Sequence, residues 1–189
     1  MVDVILDRDG TLIEEVPYLS RPQGVCPTAG AFTGLRRLAS AGCRLFVASN
    51  QSGVARGFFG TSELALIDHK MDEVFAGCGI TFAGKRYCLH APEDGCPCRK
   101  PRPGLLLQLA QAYRIDLERA WMVGDKLSDI AAGRAVGCRT ILVRTGCGAE
   151  AERAASGPAA DAVLDDLGSL AGVILAGSLA AREGTVRNT

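Results

Sequence analysis

The sequence predicts an α/β fold, with a mostly parallel, Rossmann-like sheet covered by helices on both faces. Two features of the chain predict it. Short apolar runs of strand length alternate with longer stretches whose apolar residues fall at helical spacing, as in βαβ units. Several of the short runs also end in polar residues, and the carboxyl ends of parallel strands meet at one edge of a sheet. We therefore expect those polar residues to form a single site.

Length and composition limit the classes of protein considered. The 189 residues suit one domain, spanning residues 1–189, with a sizeable core. The formal net charge of +0 argues against a nucleic-acid partner recognised through bulk charge. No apolar run approaches the roughly 18–20 residues of a membrane-spanning helix, and no signal-peptide pattern opens the chain. We expect a cytoplasmic monomer, since no strongly apolar surface stripe is evident in the sequence.

The first predicted strand, Val4–Leu6, runs into a pair of carboxylates. Asp7 and Asp9 lie two residues apart at the strand end and are followed by Gly10 and Thr11. Two close carboxylates repel each other, so the arrangement needs a cation. One aspartate can then attack an electrophile while the other moves a proton. The alternative is a polar β-turn, since Asp-Gly is common turn chemistry.

The second predicted strand, residues 44–48, follows a proline-rich loop and a helix. The loop, residues 13–27, is a candidate substrate cover, and the helix is predicted over residues 29–41. Ser49 and the backbone amides after it come directly at the strand end, where a hydroxyl and N–H groups form an anion site. The alternative is an ordinary polar loop.

Four candidate zinc ligands follow the third predicted strand, residues 85–89, which comes after a helix at residues 61–75. Three Cys and one His form a closed tetrahedral zinc set, which is structural because no ligand position is left for water. Eight cysteines in a chain of this length fit metal or incidental thiols better than a disulfide framework. The alternative is unrelated cysteines beside a surface histidine. The spacing is C-x-H-x5-C-x-C, formed by Cys88, His90, Cys96 and Cys98.

A basic pair, Arg99 and Lys100, directly follows the predicted zinc loop at about residues 88–98. A loop held by zinc would aim these cations, and lysine is a common partner of phosphate. The alternative is a solvated basic pair. A helix opening at Pro103 is predicted to follow.

The fourth predicted strand, residues 120–123, brings a third carboxylate. Asp125 follows this strand as Asp7 follows the first, and with Asp7 and Asp9 it forms an oxygen-rich site that suits Mg²⁺. Asp129, roughly one helical turn later, is expected to support the site without binding the metal. The neighbouring strand ends thus supply a nucleophile, a hydroxyl donor, a cation and a metal site. Together these groups suit phosphoryl transfer.

The rest of the chain is predicted to complete the sheet. A helix through Ala131, Ala132, Ala135 and Val136, which stops at Gly137, leads to a fifth strand at residues 140–143. A short strand near residues 162–164, a helix from about Asp166 and a frayed end after Arg182 are expected beyond it.

Four ordered motifs resemble those of the haloacid dehalogenase superfamily of phosphotransferases. They span roughly residues 1–146, and Ser49 stands where many relatives carry Thr. The resemblance implies the fold of that superfamily, with the zinc loop partly replacing a large cap domain and leaving a minimal cap. The motifs are Asp7-x-Asp9-Gly10-Thr11, Ser49, Lys100 and Gly124-Asp125-x3-Asp129.

Within the superfamily, the chain is similar to phosphatases that remove the C7 phosphate of D-glycero-D-manno-heptose 1,7-bisphosphate in the synthesis of nucleotide-activated heptose. The similarity lies in Asn50–Gly57, the Cys/His cluster, Arg99-Lys100-Pro101 and the segments that begin at Gly124 and Val143. Histidinol-phosphate phosphatase domains share the two aspartates and the zinc loop, and a generic small sugar-phosphate phosphatase is a further alternative. The sequence leaves the α or β anomer and the pathway, such as lipopolysaccharide synthesis, open.

The resemblance also implies a role for each site residue. Asp7 would attack phosphorus and give an aspartyl-phosphate, and Asp9 would protonate the leaving oxygen and then activate water. Asp7, the Asp9 carbonyl and Asp125 would hold Mg²⁺, while Ser49 and Lys100 would hold the phosphoryl oxygens. The candidates for substrate contacts are Arg8, Glu15, Tyr18, Asn50, Gln51, Ser52, Arg56, Arg99 and Lys126.

Two other classes of function share parts of this inventory. A sugar-phosphate binder without catalysis has no need of both Asp7 and Asp9. A phosphotransferase that passes the phosphoryl group to another acceptor would use the same residues, and product analysis separates it from a hydrolase.

Overall fold

A computed structural model describes residues 1–154 and 159–177. Within them, six parallel strands form one sheet, so the predicted parallel α/β fold is confirmed. The strands are β1 (Asp3–Leu6), β2 (Arg44–Asn50), β3 (Gly84–Cys88), β4 (Trp121–Gly124), β5 (Arg139–Val143) and β6 (Ala162–Leu164). Their order across the sheet is β3-β2-β1-β4-β5-β6, which places β1 and β4 side by side at its centre.

Helices connect consecutive strands. A 3-10 turn at Leu167–Ser169 leads into helical residues 170–177, and the predicted frayed end after Arg182 lies outside the described residues. No helix in the described part of the chain has both the length and the hydropathy needed to cross a bilayer. The helices between strands are α1 (Ala31–Ser40), α2 (Thr61–Ala76), α3 (Gly104–Tyr113), α4 (Leu127–Arg134) and α5 (Gly148–Ala154).

The core has two halves, one on each face of the sheet. Side chains of a strand alternate between faces, so Val4 and Leu6 enter one half while Ile5 enters the other. The first half packs against α1, α2 and the helical residues after β6, and the second packs against α3 and α4. The predicted cover of helices on both faces is therefore present.

Two element boundaries differ from the sequence expectation. β2 continues to Asn50 and does not end at Ala48, because Ser49 and Asn50 pair with residues of β3. α4 ends at Arg134, before the predicted stop at Gly137, and it begins at Leu127, where the Asp129 carboxylate accepts the Lys126 backbone N–H at 3.0 Å and caps the helix. Ser49, Asn50 and Asp129 therefore lie on regular elements, which fix their backbone.

Candidate active site

A pocket of about 500 Å³ opens at the carboxyl edge of the sheet, where β1, β2 and β4 end. Twelve of the predicted catalytic and substrate residues line it. Asp125 lies fully buried outside the lining, and Arg56 lies on the exposed surface. The twelve are Asp7, Arg8, Asp9, Glu15, Tyr18, Ser49, Asn50, Gln51, Ser52, Arg99, Lys100 and Lys126.

A buried ion network lies at the base of the pocket. The Lys100 Nζ lies 3.0 Å from an Asp7 oxygen and 2.6 Å from an Asp129 oxygen, and it donates to the Ala48 carbonyl at 2.7 Å. Burial opposes ionisation of Asp7, but Lys100 and the Ser49 hydroxyl outweigh it and hold the pKa of Asp7 below its usual value. Asp7 is therefore a carboxylate, the form that can act as a nucleophile.

Three carboxylates around this network form a candidate magnesium site. Oxygens of Asp7, Asp125 and Asp129 all lie within 4.8 Å of one another. Burial, and after it the charge of Asp7, raises the pKa of Asp125 to about 7. Lys100 pairs with Asp7 and Asp129 but not with Asp125, so a divalent cation would relieve the remaining negative charge, and an all-oxygen set suits Mg²⁺. Asp129 was expected to support the metal site from outside it. In the structure it lies within the group of three carboxylates and pairs directly with Lys100.

The Asp125 carboxylate sits in a cradle that only glycine permits. A Cβ on Gly10 would lie 2.2 Å from Asp125 Oδ2, and one on Gly146 would lie 2.4 Å from it. Both glycines have positive φ values, 78° and 54°. The Cys147 backbone N–H donates to the same oxygen at 2.9 Å, and the Thr145 hydroxyl donates to the Gly10 carbonyl at 2.6 Å. Neither Thr145 nor Cys147 was predicted to be a site residue, although their position after a predicted strand was a signal in the sequence.

The Asp9 carboxylate is held by its neighbour in sequence and by one glutamine. Arg8 donates from Nε at 3.1 Å and from Nη2 at 3.0 Å. Gln51 donates from Nε2 to Asp9 Oδ2 at 2.6 Å and to Ser49 Oγ at 3.1 Å, and its Oε1 accepts from Arg8 Nη2 at 2.9 Å. Arg8 is only 1% exposed although it is a long cation.

Asn50 fixes the backbone of Lys100. Its Nδ2 donates to the Lys100 carbonyl at 3.0 Å, and its Oδ1 accepts from the Lys100 N–H at 3.1 Å. The resemblance implied a substrate contact for Asn50. In the structure, both ends of its amide are used to join the end of β2 to the loop that carries Lys100.

Two loops meet at the pocket mouth. Lys126 and Glu15 form an ion pair at 2.9 Å, and both side chains are about one-third exposed. Tyr18 stacks on Phe58 with ring centroids 4.1 Å apart, and Arg56 donates to the Tyr18 hydroxyl at 2.8 Å. Arg56 therefore supports the rim instead of facing the pocket. Ser128, which the sequence analysis did not select, also lines the pocket, as do Val16, Pro17, Leu19, Gly53 and Phe59.

The four predicted zinc ligands lie together beside the pocket. The sulfurs of Cys88, Cys96 and Cys98 are 3.2–3.5 Å apart, and His90 Nδ1 lies 3.3 Å from the Cys98 sulfur and 3.7 Å from that of Cys88. A zinc tetrahedron with bonds of about 2.0–2.3 Å has edges of about 3.5–3.8 Å, so the set fits Zn²⁺. All eight cysteines are free of disulfides. The cluster ends two residues before Lys100.

The chain is similar to known phosphatases over nearly its whole length. A curated relative, D-glycero-β-D-manno-heptose-1,7-bisphosphate 7-phosphatase of Pseudomonas aeruginosa, is 38% identical over 175 residues, which are 91% of this chain and 97% of the relative. The D,D-heptose 1,7-bisphosphate phosphatase of B. bronchiseptica, solved with magnesium and phosphate, has a TM-score of 0.88 at 35% identity, and the match covers 94% of this chain and 99% of that one.

Two further matches agree with these. The D,D-heptose 1,7-bisphosphate phosphatase of Burkholderia thailandensis has a TM-score of 0.73 at 31% identity and covers 93% of this chain and 99% of that one. The HAD-hydrolase-like family model matches residues 97–170. The expected superfamily is confirmed. The chain belongs to the haloacid dehalogenase-like hydrolases, in the family of the D-glycero-D-manno-heptose-1,7-bisphosphate 7-phosphatases.

Proposed function

We propose that the protein is a Mg²⁺-dependent phosphatase that removes the C7 phosphate of D-glycero-β-D-manno-heptose 1,7-bisphosphate. The observation that carries the reaction is the buried Asp7 carboxylate, paired with Lys100, within 4.8 Å of Asp125 and Asp129 and at the base of a pocket. The names of the relatives support the substrate and the β anomer. The reaction is hydrolysis of a phosphoric monoester.

The first chemical step is an attack by Asp7. An Asp7 oxygen forms a bond to phosphorus while the bond from phosphorus to the C7 oxygen breaks, which gives an aspartyl-phosphate. Asp9 protonates the departing C7 oxygen, so the sugar leaves as an alcohol. Lys100 neutralises charge on the transferring group, and the Ser49 hydroxyl donates a hydrogen bond to it.

The second step releases phosphate. Asp9 now lacks the proton that it gave to the sugar, so it can take one from a water molecule as that water attacks the aspartyl-phosphate. The bond between phosphorus and the Asp7 oxygen breaks, and inorganic phosphate leaves. Asp7 and Asp9 thereby return to their starting protonation states.

Two metals complete the proposal. Asp7, Asp125 and the Asp9 carbonyl would hold Mg²⁺, which when bound screens the negative charge of the phosphate from the attacking carboxylate. Magnesium in the similar structure from B. bronchiseptica supports this choice. The four ligands of the Cys/His cluster would hold a structural Zn²⁺ that keeps the loop before Lys100 in place.

The pocket mouth supports a second anionic group on the substrate. Lys126 and Arg99 line the pocket, and they are proposed to contact the phosphate that remains on the sugar. Glu15, which holds Lys126 at 2.9 Å, would be released from it as that phosphate binds. Tyr18 and Ser52 are the remaining proposed contacts to the sugar.

A cytoplasmic monomer is proposed as the working form. The free thiols of all eight cysteines, including those of the zinc cluster, support a reducing compartment. Size-exclusion chromatography with light scattering measures the oligomeric state, and a dimer would contradict the monomer.

Phosphate release tests the function. The enzyme with Mg²⁺ is assayed on the β and α anomers of the heptose 1,7-bisphosphate and on histidinol phosphate. We expect the highest kcat/KM on the β anomer and no turnover by Asp7→Asn, whose fold is checked by circular dichroism. A preference for histidinol phosphate would contradict the assigned substrate. Activity of Asp7→Asn would contradict the assignment of Asp7 as the nucleophile.

A further inference from the structure

We infer that Arg8 and Gln51 are positioning residues for the general acid Asp9. The inference rests on the proposed function, because it concerns the residue that would protonate the leaving oxygen. It changes the role that the resemblance implied for both side chains.

The first observation is the burial and pairing of Arg8. Its side chain is 1% exposed and forms a two-point contact with Asp9, from Nε at 3.1 Å and from Nη2 at 3.0 Å. The guanidinium also lies over the Tyr87 ring, 6.0 Å from its centroid. A planar guanidinium matches a carboxylate in both position and plane, so this contact fixes where the Asp9 oxygens lie.

The second observation is that Gln51 uses its whole amide inside the protein. Nε2 donates to Asp9 at 2.6 Å and to Ser49 at 3.1 Å, and Oε1 accepts from Arg8 at 2.9 Å. The reverse amide orientation would point an oxygen at a carboxylate and an NH₂ group at a guanidinium. It is excluded, since the guanidinium only donates and cannot accept from an NH₂ group. No donor of Gln51 is left for a substrate.

The same amide sets the direction of the Ser49 hydroxyl. Ser49 Oγ accepts from Gln51, so its own hydrogen is available to donate to the transferring phosphoryl group. Gln51 therefore links Ser49 to the acid Asp9 through one hydrogen-bonded chain. Loss of this glutamine should harm the step that needs a well-placed acid more than a step that needs none.

Leaving-group dependence measures this effect. A sugar phosphate needs its departing alkoxide protonated, whereas para-nitrophenolate leaves without a proton. For Gln51→Met, we expect kcat/KM on the heptose bisphosphate to fall about 100-fold, and kcat/KM on para-nitrophenyl phosphate to change less than about threefold. The parameter kcat/KM reports steps up to departure of the leaving group, so the later action of Asp9 on water does not enter.

Three further variants complete the experiment. Asp9→Asn should show the same contrast between substrates more strongly, and Arg8→Lys, which keeps the charge but loses the fork, should show it more weakly. Arg44→Met removes an Arg–Asp pair at the other end of β1. It should leave kcat/KM unchanged on both substrates. Melting temperatures of all variants show whether each protein is folded.

Two outcomes would overturn the inference. If Gln51→Met lowers kcat/KM equally on both substrates, the residue acts through the general structure of the site. If KM for the heptose bisphosphate rises while kcat is kept, Gln51 binds substrate. Failure of the proposed function is distinct, because it would appear in the wild type and in Asp7→Asn. In that event the contrast is measured with whichever alkyl phosphate the wild type hydrolyses.

Discussion

The two ends of β1 each carry an aspartate held by an arginine at two points. At the amino end, Arg44 contacts Asp3 from Nε and from Nη2, both at 2.7 Å, and the Arg44 side chain is 32% exposed. At the carboxyl end, Arg8 contacts Asp9, and the Arg8 side chain is 1% exposed. The chemistry of the two pairs is the same, and the two arginines differ in their access to water, while Asp3 and Asp9 are 10% and 15% exposed.

Access to water decides what each pair can do. At the amino end, water reaches the Arg44 guanidinium and weakens its attraction to Asp3. At the carboxyl end, the base of the pocket buries Asp7, Lys100, Asp125 and Asp129 together. Water cannot replace a lost partner there, so an unpaired charge would strongly destabilise the fold. Each charge also interacts strongly with its neighbours, because little solvent screens it. The chemistry is expected at that end.

Lys100→Met should give the largest change. It leaves Asp7 and Asp129 buried without their shared cation, so we expect about 3–5 kcal/mol less free energy of unfolding. Activity should fall by about 1,000-fold or more, because the transferring phosphoryl group loses its cation. Urea unfolding and phosphate release measure the two effects.

Lys126→Met is the matched control. It removes the same side-chain type from the exposed rim, where the partner Glu15 is 33% exposed, and should cost less than about 1 kcal/mol. Equal destabilisation by the two variants would contradict the difference between buried and exposed charge.

Cys96→Ser should give an intermediate effect. The proposed zinc joins three sulfurs and one nitrogen in a loop that ends next to Lys100, so its loss should loosen that lysine. We expect about one zinc per wild-type chain, a strongly reduced zinc content in the variant, and a melting temperature lower by about 5–10 °C. Metal analysis and calorimetry give both values.

Cys26→Ser is the control for the zinc site. Cys26 is an exposed free thiol outside the cluster, so its replacement should leave zinc content and melting temperature unchanged. A wild-type protein without zinc, or a Cys96→Ser protein as stable as the wild type, would remove the basis for a structural metal.

Arg44→Met should give the smallest effect on activity. The variant loses the contact to Asp3 and a hydrogen bond to the Tyr113 carbonyl at 3.0 Å, far from the pocket. Because the Asp3 side chain is only 10% exposed and loses its cation, we expect a loss of about 1–3 kcal/mol in unfolding free energy, with an unchanged kcat/KM. A large fall in activity would show that the amino end of β1 is coupled to the site.

The sequence was sufficient to predict the sheet and the edge at which the site lies. Apolar runs such as Val4–Leu6 are local signals, and the polar residues that follow them reach one edge because the strands are parallel. The Cys/His cluster was also predictable, because its four ligands lie within eleven residues of one another. Local patterns therefore carried the fold and the identity of the candidate site residues.

The partners of those residues were not predictable in the same way. Arg8 next to two aspartates gives no sign of burial in the sequence, since its burial comes from Gln51, 43 residues later, and from Tyr87. Asn50 was expected to face the substrate, yet its contact with Lys100 depends on how a distant loop docks on β2. Such contacts follow from tertiary packing, which the order of residues in the chain does not reveal.

The order of strands in the sheet has a consequence for synthesis of the protein. β1 pairs with β2 on one side and with β4 on the other, and β4 begins at Trp121. While a ribosome is still making the first 120 residues, one flank of the apolar strand β1 has no partner, and unpaired apolar strands promote aggregation. The nascent chain also lacks Asp125 until then. The central pairing of β1 with β4 and a complete metal site therefore become available at nearly the same point of translation.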